Sequence, residues 1–179
     1  GTVVVETCGG IDHLKVTDDA DMAVTVQGNI EHADLDDGDD VVVVDGGRIE
    51  FLELDGGTNS VQMLNDGDVN HITGYGGTSN TVTLGDNHTR SIVLDAETNT
   101  VNTGNGDITD LTMGGTTANV TVATNSGVSL LDVHNDADVN LNVQGWVQTA
   151  ALDDGDDVIS LTGNGEIRSL DVRGGTNTV

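Results

Sequence analysis

The chain is expected to fold as an all-β parallel β-solenoid, of the β-helix or β-roll kind, with about nine coils of roughly 19–20 residues. Three observations predict it. Residues 1–62 return as residues 118–179 at an offset of about 117 residues: Val3 falls on Val120, Leu14 on Leu131, Gln27-Gly28 on Gln144-Gly145, and Asp36–Val41 on Asp153–Val158. Inside that long repeat, apolar residues recur with a short period. Between the apolar stretches lie Gly, Asn and Asp clusters, and no 3.6-residue apolar period is long enough for a helix.

The short period defines four apolar columns. The first is Ile11, Ile30, Ile49, Val69, Ile108, Val128, Val147 and Ile167, with Arg90 in the place of an apolar residue in one unit. The second is Leu14, Ala33, Leu52, Ile72, Ile92, Leu111, Leu131, Ala150 and Leu170. The third is Val16, Leu35, Leu54, Gly74, Leu94, Met113, Val133, Leu152 and Val172. The fourth, after a turn, is read as Met22, Val41, Val61, Val82, Val101, Val120, Val139, Val158 and Val179. Each unit holds two stretches of apolar-polar alternation, such as Leu52-Glu53-Leu54 and Val82-Thr83-Leu84, which is the strand period. Turns such as Asp55-Gly56-Gly57-Thr58-Asn59 carry residues that accept positive φ. Coils stacked about 4.8 Å apart give one continuous solenoid over residues 1–179, a rod roughly 43 Å long. Asn59, Asn80, Asn99, Asn119 and Asn177 stand just before the second strand, either as a ladder of amides bonded coil to coil or as plain turn residues.

Composition narrows the function. Aromatic residues are 2% of the chain and Pro is absent, so the core is a thin layer of Val, Leu and Ile held by coil-on-coil contact. The formal net charge of −26, from 31 acidic residues against 5 Lys and Arg, leaves no basic footprint for nucleic acid or for an anionic membrane surface. No apolar run has the length of a transmembrane span, and the opening residues are not expected to be a signal peptide. The chain starts at Gly1 rather than Met, so upstream sequence is expected. Strong acidity with few Lys fits an extracellular or cell-surface location in a salty or calcium-rich medium; a halophilic cytoplasm produces the same bias. Cys8 is the single cysteine and matches Asn125 in the long repeat, which excludes an internal disulfide and leaves a turn thiol or an intermolecular partner.

Two pairs of acidic turns are the candidate metal sites. Asp18-Asp19-Ala20-Asp21 and Asp36-Asp37-Gly38-Asp39-Asp40 occupy one turn of successive coils, and Asp136-Ala137-Asp138 and Asp153-Asp154-Gly155-Asp156-Asp157 repeat the arrangement. Carboxylates brought about 4.8 Å apart repel unless a cation sits between them, and Ca²⁺ accepts six to eight oxygens in flexible geometry. The candidate ligands are Asp19, Asp21, Asp37, Asp39, Asp40, Asp136, Asp138, Asp154, Asp156 and Asp157. The alternative is a solvated acidic edge that discourages side-by-side aggregation. Gly38-Asp39-Asp40-Val41-Val42 and Gly155-Asp156-Asp157-Val158-Ile159 resemble half of the GGxGxDxUx nonapeptide of secreted RTX proteins. That resemblance implies Ca²⁺ held between coils of a parallel β-roll at those turns. No complete GGxGxD occurs, and most turns carry Gly-Gly-Thr-Asn.

The remaining patterns are weaker. His13, His32 and His71 share one position of their coils, with Phe51 between them, and read as a surface column; His88 and His134 stand alone. Thr81, Thr83, Thr100, Asn102, Thr121, Asn140 and Asn142 form an irregular outward array, read as interrupted by Val42, Val44 and Ile159, that partly resembles the Thr ranks of ice-binding solenoids. No Ser-His-Asp or Cys-His constellation has supporting spacing, so an enzyme is not expected. The chain opens and closes in the fourth column, at Val3 and Val179, without a capping unit, as expected of a fragment of a longer repeat protein or of a subunit that stacks end to end. The sequence therefore points to a structural or adhesive rod: an extracellular filament, matrix component or adhesin stalk whose partner is itself or adjoining repeats. The alternative is a calcium-binding β-roll module of a secreted enzyme or toxin; ice binding is third.

Overall fold

A computed structural model describes residues 1–179. The chain is all-β and winds as a parallel β-solenoid built from two sheets of nine strands each. Sheet one runs from the strand Thr2–Val5 to Val158–Leu161, and sheet two from Gly10–Lys15 to Glu166–Val172. Successive strands alternate between the sheets, so each coil contributes one strand to each and pairs only with the coils above and below it. All pairings are parallel and in register, which places like positions of the repeat on top of one another.

The first three apolar columns lie as the periodicity predicts. Ile30 pairs with Ile49, Leu52 with Ile72, and Leu94 with Met113, all buried between the sheets. Inward residues of sheet two stand at i, i+3 and i+5, as Ile49, Leu52 and Leu54 do, so two outward residues separate the first pair. In the coil read as carrying Arg90 inward, Thr89 takes that place instead: it pairs with Ile108 and is fully buried, whereas Arg90 is exposed. A buried hydroxyl substitutes for the expected alkyl group, with Met63 Sδ at 3.9 Å as its partner.

The fourth column differs from the expectation at four places, by one residue at Val41 and Val158 and by two at Met22 and Val139. Its members are Val24, Val42, Val61, Val82, Val101, Val120, Leu141 and Ile159, each pairing with the next. Met22, Val41 and Val158 are not in it, Val139 pairs with Ala118 one column earlier, and Val41 and Val158 are each 49% exposed. Leu35-Asp36-Asp37-Gly38-Asp39-Asp40-Val41-Val42 lies without a gap on Leu54-Asp55-Gly56-Gly57-Thr58-Asn59-Ser60-Val61. Because side chains alternate faces, that one-residue shift turns Val41 outward and Val42 inward. Val42, Val44 and Ile159 therefore do not interrupt the outer face of sheet one, since all three are buried. The outward columns of that sheet run Thr2, Ala23, Val41, Ser60, Thr81, Thr100, Asn119, Asn140, Val158 and Val4, Thr25, Val43, Gln62, Thr83, Asn102, Thr121, Asn142, Ser160.

Two glycines are fixed by coil-on-coil approach. A Cβ on Gly74 would lie 2.7 Å from Asn80 Nδ2 and 3.1 Å from Leu94 Cδ2, because the inward amide of Asn80 fills the space a third-column side chain occupies elsewhere. Gly57 has φ of +50°, and its Cβ would fall 1.9 Å from the Gly38 carbonyl oxygen of the preceding coil. Cys8 and Asn125, equivalent in the long repeat, share a left-handed backbone at φ of 67° and 68°.

The register at Thr89 is open to test. Thr89→Val removes a buried hydroxyl whose only partner is a weak sulfur acceptor, and is expected to stabilise the fold by about 1 kcal/mol. Arg90→Leu, on the outer face, is expected to leave stability within about 0.5 kcal/mol. Urea unfolding of both variants checks the assignment, and the opposite order of effects contradicts it.

Candidate functional site

The acidic turns connect the end of each sheet-two strand to the next strand of sheet one. Stacking in register brings carboxylates of adjacent coils together, and the chain meets that cost with backbone N–H groups. Asp21 Oδ1 accepts from Asp39 N at 3.0 Å, and Asp39 Oδ1 accepts from Thr58 N at 2.8 Å. The distant pair repeats this, with Asp156 N donating to Asp138 at 2.9 Å and Thr176 N donating to Asp156 at 2.7 Å. These four carboxylates act as staples between coils. Asp37 and Asp154 lie over Gly56 and Gly174 of the next coil: a Cβ on either glycine would meet a carboxylate oxygen at 2.3 and 2.6 Å. Asp19 and Asp136 are exposed, and Asp136 takes a left-handed backbone. No group of three or more Asp, Glu, His or Cys side chains stands close enough to hold a metal ion, so the ten predicted ligands are placed as neighbours along two coil pairs without converging on one point.

Asp40 and Asp157 differ from the rest. Both are fully buried at the head of their strand, in the column that elsewhere carries Asn59, Asn80 and Asn99. The amides form a partial ladder. Asn59 Nδ2 donates to Asn80 Oδ1 at 3.1 Å and to Gly56 O, three residues back, at 2.8 Å. Asn99 Nδ2 donates to Ala96 O and to Gly114 O, and Asn177 Nδ2 to Gly174 O. Asn119 is not a member: Ala118 takes its column, and Asn119 faces outward, where Asn140 donates to it at 3.1 Å. The side-chain oxygen Oδ1 does the same work in both residue types. That of Asn59 accepts from Asp40 N, that of Asp40 from Met22 N, that of Asn177 from Asp157 N, and that of Asp157 from Val139 N. In Asp40 and Asp157 the second oxygen, Oδ2, is therefore the counterpart of the amides' Nδ2. Both Oδ2 atoms are buried without a hydrogen-bond partner. A buried acceptor left without a donor is costly, and a proton or a cation beside it relieves that cost. Burial pushes both carboxyls above their ordinary 3.8; the amide bonds from Met22 and Val139 oppose the shift, and Asp21 and Asp39, or Asp138 and Asp156, reinforce it.

On the outer face of sheet two, His13, His32, Phe51 and His71 form one stack. Ring centroids are 4.9, 4.7 and 4.9 Å apart, with interplanar angles of 14°, 7° and 7°. Phe51 continues the column. Beside it lies an open groove of about 610 Å³ lined by Asp12, Glu31, Arg48, Glu50 and Phe51 among others. Arg48 bridges Glu50 at 2.7 Å and Asp68 at 3.6 Å; the Asn70 amide and then Arg48 hold the Glu50 carboxyl below its ordinary range. Arg48 and Glu50 are thus paired with each other in the wall of the groove, whereas Asp68 Oδ1 is buried without a hydrogen-bond partner.

Comparison with protein-family models, curated proteins and solved structures finds no match to this chain.

Asp40→Asn and Asp157→Asn replace the unpartnered oxygen by a donor and are each expected to stabilise the metal-free chain at neutral pH by about 1–3 kcal/mol. A carboxyl raised in the folded state contributes most stability at low pH and loses it as pH rises from the unfolded value through the folded one. The melting temperature of the natural chain, compared with that of the double variant, should therefore fall from about pH 4 towards neutrality. Parallel curves for the two proteins would show that these carboxyls are not the source.

Proposed function

We propose that the chain is a structural rod, part of an extracellular or cell-surface filament, matrix or adhesin stalk, lengthened by further coils from adjoining repeats or from a second copy of itself. One observation carries this reading: the acidic turns, the groups best suited to bind a ligand, spend their oxygens on backbone amides of neighbouring coils. The chemistry of the site is directed at coil-to-coil cohesion. The charge of −26 supports a medium rich in cations, where screening relieves the stacked carboxylates.

A second reading, a calcium-binding β-roll module of a secreted enzyme or toxin, is favoured by the unpartnered Oδ2 atoms of Asp40 and Asp157, which stand in the segments that resemble the RTX nonapeptide. A cation there would be held by these oxygens with turn carbonyls, and would supply cohesion, with no reaction implied.

Thermal unfolding in EGTA and in millimolar Ca²⁺, together with electron microscopy of the purified chain, separates the two. A structural rod is expected to melt at the same temperature in both media and to form thin filaments as concentration rises. Unfolding in EGTA with rescue by Ca²⁺ would assign the module reading. Dispersed single particles at all concentrations would remove self-stacking.

A further inference from the structure

Charge is distributed unevenly around the rod. The outward face of sheet two carries Asp12, Glu31, Glu50, Asp34, Glu53 and Asp132 among its columns. The two central outward columns of sheet one, one residue of each from every one of nine strands, carry no charge; Asp138, at the start of its strand, and Asp45, at the end of its strand, are the carboxylates on the margins of that face. It is the one broad face on which a second body as acidic as this chain can settle. Its exposed apolar groups are Val4 at 58%, Val41 and Val158 at 49%, and Leu64 at its margin, set among Thr, Ser and Asn.

We propose that two copies of the chain pair through this face, sheet one against sheet one, with their rod axes parallel and a two-fold axis running along them. Nine strands about 4.8 Å apart, each presenting roughly 13 Å of strand, cover about 550 Å² per copy. The total of about 1,100 Å² meets the size of a weak but specific interface. Two sheets packed in this way lie about 10 Å apart, close enough for Thr and Asn of one copy to reach the other.

The acidic turns choose the orientation. Every strand of sheet one begins beside the corner that bears Asp21, Asp39, Asp138 and Asp156 and ends at the opposite corner. A two-fold axis along the rod puts the two acidic corners on opposite sides of the pair. The turn of Asp138 and Asp156 then lies across from the part of the partner's opposite corner where Asn125 and Gln144 supply donors, while that corner's carboxylates, Glu6, Asp45, Asp66 and Asp86, stand in earlier coils. A two-fold axis along the strands would instead set both acidic corners on one side. The inference is independent of end-to-end stacking, because the pairing surface runs along the rod and not at its ends.

Sedimentation equilibrium of the natural chain at low and high salt tests it. The expected result is a monomer–dimer equilibrium that tightens at least about tenfold as salt screens the repulsion. Thr81→Lys and Thr100→Lys, half-exposed in mid-face, should weaken dimerisation by about tenfold or more with little change in melting temperature, since each places a charge against its symmetry mate. Thr109→Lys and Ser129→Lys, on sheet two, should leave dimerisation unchanged. Spin labels on the exposed, free Cys8 should report a short separation, both labels lying at one end of the pair. A chain that stays monomeric at millimolar concentration in high salt overturns the proposal, as does a dimer indifferent to the Lys variants on sheet one. Labels separated by the rod's length overturn the parallel orientation. A monomer with thermal hysteresis that Thr81→Lys abolishes would reassign the face to ice.

Discussion

Parallel pairing in register is the constraint on which the rest of the molecule depends. Each residue stands on the residue one coil earlier at the same phase, so every choice of side chain is tested against a near copy of itself about 4.8 Å away. For branched aliphatics the outcome is favourable, and the buried columns of Ile, Leu and Val follow. Amides are equally well suited, since Asn offers both a donor and an acceptor and can bond its own kind, as Asn59 does with Asn80. Flat rings stack, and the run from His13 to His71 is the result. Carboxylates are the group for which such stacking is unfavourable, and their treatment is the most particular feature of this chain.

Three solutions to that problem are visible. Exposed turn carboxylates accept from backbone N–H groups of the next coil, so a stack of like charges becomes a stack of charge-assisted hydrogen bonds. Others are opposed by glycine, as Asp37 is over Gly56, which leaves room and adds no charge. The third is burial, in Asp40 and Asp157, and it is incomplete: an oxygen stands in an amide's place without the amide's hydrogens. That defect occurs twice, at equivalent positions of the long repeat, so it belongs to the design of these two coils.

Much of this was legible in the sequence, and what was not has one physical origin. The all-β parallel solenoid and its three sheet-two columns follow from spacing alone, because Ile, Leu and Val recur there without competing neighbours. The third strand of sheet one opens with Val41-Val42-Val43-Val44, where composition does not distinguish inward from outward, and a slip of one residue exchanges the two. The ungapped match of the Asp36–Val42 turn to Asp55–Val61 was the available signal. It places Asp40 on Asn59 and so separates a buried carboxyl from its exposed neighbour Asp39, whereas alignment on the valines does not. The same ambiguity placed Arg90 inward for Thr89 and counted Asn119 among the buried amides. The unpartnered oxygens lay beyond sequence reasoning, since they depend on where each atom of a carboxylate points.

The hydrogen bonds that join coil to coil run along the rod, while the chain itself runs across it. Tension applied at the two ends therefore loads these bonds one coil at a time, as in opening a zipper, and not all together as in shearing two strands apart. A rod of this kind lengthens in steps. Each released coil of roughly 20 residues adds about 60 Å of extended chain in place of about 5 Å of stacked height. An element built in this way yields to force gradually and rebuilds from the coils that remain, so it can serve as an extensible tether as well as a strut.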